Sequence, residues 1–129
     1  TDGKKILFSD SNLSLNVFNT VTGQSQNLGL RTLAEKCVWN KLNTLIYCAV
    51  PKNTTFANFP DSWYQGEICF EDQIWEINLE NQNTKLLLNP VLLNGGEEVD
   101  GIKLSLDKNE DYLLFVNKKD SILWGYNLK

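Results

Sequence analysis

Four aromatic residues crowd the stretch FANFPDSWYQG: Phe56, Phe59, Trp63 and Tyr64, with Asp61 among them. A loop carrying that much aromatic surface either folds back as a small satellite core, the plainer reading, or presents a recognition patch. Acid–base and nucleophilic chemistry has little to draw on elsewhere. The chain has no histidine, and a Ser-His-Asp or Cys-His triad needs an imidazole to take the nucleophile's proton. Zinc loses its commonest nitrogen ligand for the same reason, and Cys37, Cys48 and Cys69 include no Cys-x-x-Cys pair. The run DKNED at 107–111 sets Asp107, Asn109 and Asp111 at alternate positions, as oxygen-ligand loops for calcium do. Tyr112 stands where such a loop requires glycine and Lys118 where it requires a bidentate acid, so an ordinary β-turn is expected. The glycine pair of NGGEE is followed by acids that would repel phosphate. No catalytic residue, metal site or cofactor is expected.

Composition narrows the class further. With 129 residues, 42% hydrophobic and 22% charged, the chain suits one domain with an apolar core. The net charge of -4 disfavours a nucleic-acid surface, which needs clustered Lys and Arg to displace counterions from phosphates. Apolar runs such as LLLNPVLL are broken by Asn89 and Pro90, far short of the roughly 20 residues that span a bilayer. The three cysteines each sit in an apolar or strand-like setting, so buried free thiols are expected, with a Cys37–Cys48 bridge across a hairpin as the alternative.

The elements that would position any site come from internal repetition. Three segments share the order apolar, variable, variable, apolar, Asn: LNVFN at 15–19, IWEIN at 74–78 and LWGYN at 123–127. Upstream of each lies a second apolar strand, ILFSD from Ile6, LIYCA from Leu45 and LLFVN from Leu113, each preceded by a polar turn. Phe8 to Phe18 spans 10 positions and Phe115 to Tyr126 spans 11, whereas Tyr47 to Ile77 spans 30. The middle unit therefore holds an insertion, placed at 52–72 and containing the aromatic cluster. A second excess falls in NPVLLNGGEEVDG, whose Pro and Gly-Gly mark a loop.

Entry strands EKCVWN and GIKLSL and outer strands QSQNLGL and TKLLL complete the pattern. The segment LAEKCVWNKL also nearly fits a short helix, but its counterpart GIKLSLDKNED alternates with period two, which favours a strand. Leu15, Phe18, Ile74, Ile77, Leu123 and Tyr126 are expected to be buried. Four antiparallel strands per unit is the pattern of a β-propeller blade. The expected fold is all-β: part of a β-propeller, about two and a half four-stranded blades over units 1–30, 31–89 and 101–129.

The stretch TDGKKILFSDSNLSLNVFNTVTG resembles a blade of the TolB-type, WD-repeat-like propellers, with an Asp-Gly turn, an ILF-type strand and a strand ending in Asx-x-x-x-Gly. The Gly-His and Trp-Asp signatures of true WD repeats are missing. The resemblance implies the C-terminal blades of a larger propeller, a binding scaffold often found outside the cytoplasm, and no particular substrate. It also implies that the two insertions open on the same face, setting Glu97, Glu98 and Asp100 beside Phe56, Phe59, Asp61, Trp63 and Tyr64. Aromatic rings flanked by carboxylates suit sugars, peptides or cationic groups. Paired carboxylates could serve glycoside hydrolysis, a weak reading because acids are abundant.

The function expected is a non-catalytic binding or scaffolding module with a protein, peptide or glycan ligand. The alternative is the non-catalytic propeller portion of a larger hydrolase whose active site lies elsewhere. Apolar side chains around Ile6, Phe8, Leu114 and Trp124 would be uncovered at the two ends, so self-association, or the remainder of a larger propeller, is expected to cover them.

Overall fold

Short runs of β-branched and aromatic residues, separated by Asn-rich turns, give ten strands among the described residues. A computed structural model describes residues 4–10, 13–52, 71–90 and 98–128. Strands β1 (Lys5–Ser9), β2 (Ser14–Asn19) and β3 (Gln24–Arg31) form the first sheet. Strands β4 (Cys37–Trp39), β5 (Leu45–Pro51), β6 (Asp72–Asn78) and β7 (Asn83–Leu88) form the second, and β8 (Gly101–Leu106), β9 (Tyr112–Asn117) and β10 (Leu123–Asn127) the third. Every pairing is antiparallel between strands consecutive in sequence. Of the helical alternative for 33–42 only a single 3-10 turn, Ala34–Lys36, is present before β4 begins.

The repeated asparagine is a turn-former. The Asn19 side-chain oxygen accepts the N–H groups of Val21 and Thr22 at 2.9 and 3.2 Å, and Asn78 does the same for Glu80 and Asn81 at 2.9 and 3.3 Å. Four positions after each Asn the backbone turns left-handed, at Gly23 (φ 72°) and at Gln82 (φ 61°), returning the chain into β3 and β7. Glycine meets that requirement without a Cβ penalty in the first hairpin. Asn40 and Asp107 play the corresponding part between β4 and β5 and between β8 and β9. The Asp107 carboxylate accepts the Tyr112 N–H at 2.8 Å, which also holds its pKa below the usual carboxylate range, so DKNED is a turn.

The three sheets stack face to face, and the second is buried on both sides. Ile46, Cys48, Val50 and Ile77 from its first face meet Leu15, Val17 and Leu28 of the first sheet. Tyr47, Ala49 and Ile74 from its other face meet Leu113, Phe115 and the adjoining Val99. Successive strand residues point to opposite faces, so the apolar pair three apart in IWEIN serves both interfaces at once: Ile74 looks toward the third sheet and Ile77 toward the first.

That geometry corrects part of the expected core. Leu15, Ile74 and Ile77 are buried, but Phe18 and Tyr126 are only half-buried and Leu123 is 65% exposed. Leu123 occupies the Ile74 position of a sheet that, among the described residues, has no neighbour on that side. Trp124 is corrected in the opposite sense: it faces the second sheet and stacks on Phe115, with ring centroids 5.9 Å apart. The free-thiol expectation also fails for two cysteines. Cys37 and Cys48 are cross-strand partners with Cα atoms 4.1 Å apart, and they form a disulfide. That separation is near the close spacing of non-hydrogen-bonded antiparallel pairs, where two side chains stand side by side. Cys69 lies outside the described residues.

Candidate functional site

At the end of the stack where the two insertions are rooted, a lysine lies at 0% exposure between two carboxylates. Lys36 closes the 3-10 turn, Asp72 opens β6, and Asp100 directly precedes β8. The Lys36 ammonium is 2.6 Å from Asp72 Oδ2 and 2.7 Å from Asp100 Oδ1, and both aspartates are equally buried. Burying any one of these ions alone would be costly, so each depends on the other two.

Backbone geometry ties the same groups to the loop roots. Asp72 N–H donates to the Val99 carbonyl at 2.7 Å, and Gly101 N–H donates to Asp72 Oδ2 at 2.7 Å. A Cβ on Gly101 would lie 3.0 Å from the Ala49 Cβ, so glycine is what lets β8 approach β5 closely enough to make this bond. Asn117, at the end of β9, accepts the Asp100 N–H at 3.1 Å, while Lys118 N–H donates to the Asp100 carbonyl at 2.8 Å. Lys52 N–H bonds the Glu71 carbonyl at 2.9 Å, which closes the foot of the first insertion. Nearby, the buried Thr32 hydroxyl donates to the Ala49 carbonyl at 2.6 Å.

Two carboxylates around one ammonium leave an excess negative charge where water does not reach. Burial, opposed by Lys36, raises Asp72 to about 6. Among the described residues its second oxygen, Oδ1, has no hydrogen-bond partner. The cluster offers no exposed nucleophile and no open face toward a substrate; what it can do is fix the relative positions of three chain segments.

Of the residues expected to form a recognition surface, Asp100 is corrected. It is a buried ion-pair partner, and acids are assigned to the surface by default because they are rarely fully buried unless paired. Glu98, two residues earlier, is exposed and pairs with Lys119 at 3.2 Å; that contact lowers its pKa. Phe56, Phe59, Asp61, Trp63, Tyr64 and Glu97 lie outside the described residues. Their roots do not: Glu71–Asp72 from the first insertion and Glu98–Asp100 from the second are joined by the bonds just described. Sequence reasoning missed Lys36 and Asp72, which are 36 positions apart, and only the segments' placement just before strands marks them.

At the opposite end of the stack lies an open cleft of about 450 Å³ between the second and third sheets, lined by Val38, Trp39 and Leu106 among others. Its rim is crossed by the Lys41 ammonium, which bonds the Lys108 carbonyl, and by the Lys41 N–H, which reaches the Glu110 carboxylate at 3.3 Å. These contacts join the two sheets. Among the described residues no group of three or more potential metal ligands is present, and no helix is long and apolar enough to cross a membrane. The chain matches no model of a known protein family, and no curated protein matches it either.

Proposed function

We propose that the three stacked sheets are blades of a β-propeller and that the chain is a non-catalytic binding or scaffolding module. Its recognition surface is carried by the two insertions, with Phe56, Phe59, Asp61, Trp63 and Tyr64 on one and Glu97 and Glu98 on or beside the other. The observation that supports this is the joining of their roots through a buried Lys36–Asp72–Asp100 cluster and the Asp72–Val99 bond. Rigid roots reduce the ordering entropy that a recognition loop loses on binding. Aromatic residues on one insertion and carboxylates on or beside the other would suit a glycan or a cationic peptide. The Cys37–Cys48 disulfide supports an oxidising, extracytoplasmic setting.

The test is to probe the chain and its Trp63→Ala/Tyr64→Ala variant on arrays of oligosaccharides and Lys/Arg-rich peptides. Loss of signal in the variant at an unchanged melting temperature is the expected result. An equal loss of stability would show that the rings are core, and an absence of array signal for the parent chain would remove the proposed ligand classes.

A further inference from the structure

The roots of the two insertions meet through acids: Glu71 and Asp72 on the first root face Glu98 and Asp100 on the second. The outer two, Glu71 and Glu98, hydrogen-bond through their side chains beside Lys119 and Lys52, and the Glu98 side chain is 48% exposed, so water screens them. The inner two share the Lys36 ammonium at 0% exposure. When both inner carboxyls are ionised, they carry one negative charge more than that ammonium offsets, in a place where burial makes charge costly. Among the described residues, Asp72 Oδ1 accepts no hydrogen bond that would soften the excess. One proton on the pair removes it.

The neighbours of Asp72 decide which side of the seam gives way. From the 3-10 turn it faces Lys36, and from the approach to β8 it faces Asp100 and the Gly101 N–H. β5, which pairs with it at Pro51, carries no charged residue, β7 ends with the apolar Leu88 opposite Ile74, and β9 ends in the neutral Asn117. Lys36 is tied down from behind. Its N–H bonds the Leu33 carbonyl at 2.9 Å, and the next residue, Cys37, is disulfide-bonded to Cys48 in the middle of β5. Asp72, by contrast, is the first residue of β6, and its N–H donates across the seam to Val99. Strand ends open at less cost than strand centres.

We propose that the Lys36–Asp72–Asp100 cluster is a proton-operated latch: one proton on its paired carboxyls holds the two insertion roots together, and loss of that proton to solvent releases the Asp72–Val99 and Asp72–Gly101 contacts while the stacked sheets stay folded. Burial, opposed by Lys36, raises Asp72 from 3.8 to about 6, so the closed seam holds the proton more tightly than an open, hydrated one does. The latch is therefore shut below about pH 4 and eases as pH rises through 6. Lys36 stays with β5 through the disulfide next to it, so the parts that move are the first residues of β6 and β8. The latch acts on the roots whatever the insertions bind, and does not depend on the recognition surface proposed above.

The experiment is amide hydrogen exchange by NMR on the 129-residue chain and on Asp72→Asn, from pH 4 to 7, with rates corrected for the intrinsic pH dependence of exchange. The amides of Asp72 and Gly101, which bond across the seam, report the latch; those of Ile46 and Cys48, in the middle of β5, report unfolding of the whole stack. In the parent chain, protection at Asp72 and Gly101 should fall roughly 50-fold between pH 4 and 7, most of the hundredfold that about two pH units allow at tenfold each. At pH 7 these two amides should exchange faster than those of Ile46 and Cys48, since the roots open without the sheets. Asp72→Asn cannot lose a proton there, and its seam amides should vary less than about threefold over the same range. A carboxyl-carbon titration of Asp72 in the parent chain should show a midpoint near 6, a measurement that stands even if the variant does not fold. Seam protection that is flat with pH in the parent chain, or an Asp72 midpoint near 3.8, overturns the latch. Seam amides as protected as those of β5 at pH 7 also overturn it, because the roots would then open only when the whole stack unfolds, as would a variant whose seam amides follow the parental pH profile.

Discussion

Replacing Asp72 by Asn removes the titrating member of the buried cluster while keeping a side-chain oxygen that can accept the Gly101 N–H. In the folded chain the Asp72 carboxyl is raised from 3.8 to about 6, first by burial, with Lys36 opposing the rise. The folded state then holds the proton more tightly than the unfolded chain does. The stability this contributes is fully present below about pH 4 and is lost as pH rises toward and through 6. About two pH units at ~1.4 kcal/mol each give a decline of roughly 3 kcal/mol. Urea titrations at fixed ionic strength, from pH 3.5 to 7.5, would measure it for the parent chain and for Asp72→Asn. Subtracting one profile from the other cancels the carboxylates that do not interact with Asp72. The stability of Asp72→Asn relative to the parent should climb between pH 4 and 6 and level off above about 6.5. A difference that stays flat, or falls, across that window would refute the argument that burial outweighs the Lys36 attraction at Asp72.

Two further outcomes follow from the same contacts. Lys36→Met leaves two buried carboxylates facing each other without a cation; loss of one partner of a buried ion cluster costs about 3–5 kcal/mol, readable as a lowered urea midpoint at pH 7. The Cys37–Cys48 disulfide closes a loop across a sequence separation of 11, for which the chain-entropy estimate is about 3 kcal/mol. Cys37→Ala/Cys48→Ala should therefore lower unfolding stability by up to that amount, and a reductant should lower the parent chain's stability while leaving that of the double variant unchanged.

The strands were legible because each is short, apolar and bounded by a turn whose chemistry is local. Asn19 and Asn78 form their turns with N–H groups two and three residues ahead, so repeated asparagines announce repeated hairpins. The expected burial failed at Leu123 because a strand motif records which side chains are apolar and says nothing of whether a neighbouring sheet exists to cover them. In IWEIN both faces are covered; in LWGYN, among the described residues, one is not. The disulfide was misjudged for a similar reason. Two cysteines on strands that were correctly expected to be neighbours bond only if the register places them opposite each other, and a slip of one residue would have turned them to different faces.

Asp100 shows why the site was harder to read than the fold. Its partners are Lys36, which lies 64 positions away, and, through that ammonium, Asp72. Nothing local distinguishes it from Glu97 or Glu98, and an isolated acid in a Gly-rich loop is reasonably placed in water. What separates it is its position immediately before a strand whose first residue is glycine, where the close approach of β8 to β5 leaves no room for a side chain and brings the Gly101 N–H onto Asp72. The same approach carries the Asp100 carboxylate inward, where only a cation can compensate it, and Lys36 is delivered by a 3-10 turn that sequence periodicity could register only as an imperfect helix. The cluster is therefore a consequence of packing three sheets against one another. A residue pattern confined to one segment cannot reveal it, whereas removing Lys36 should loosen all three segments together.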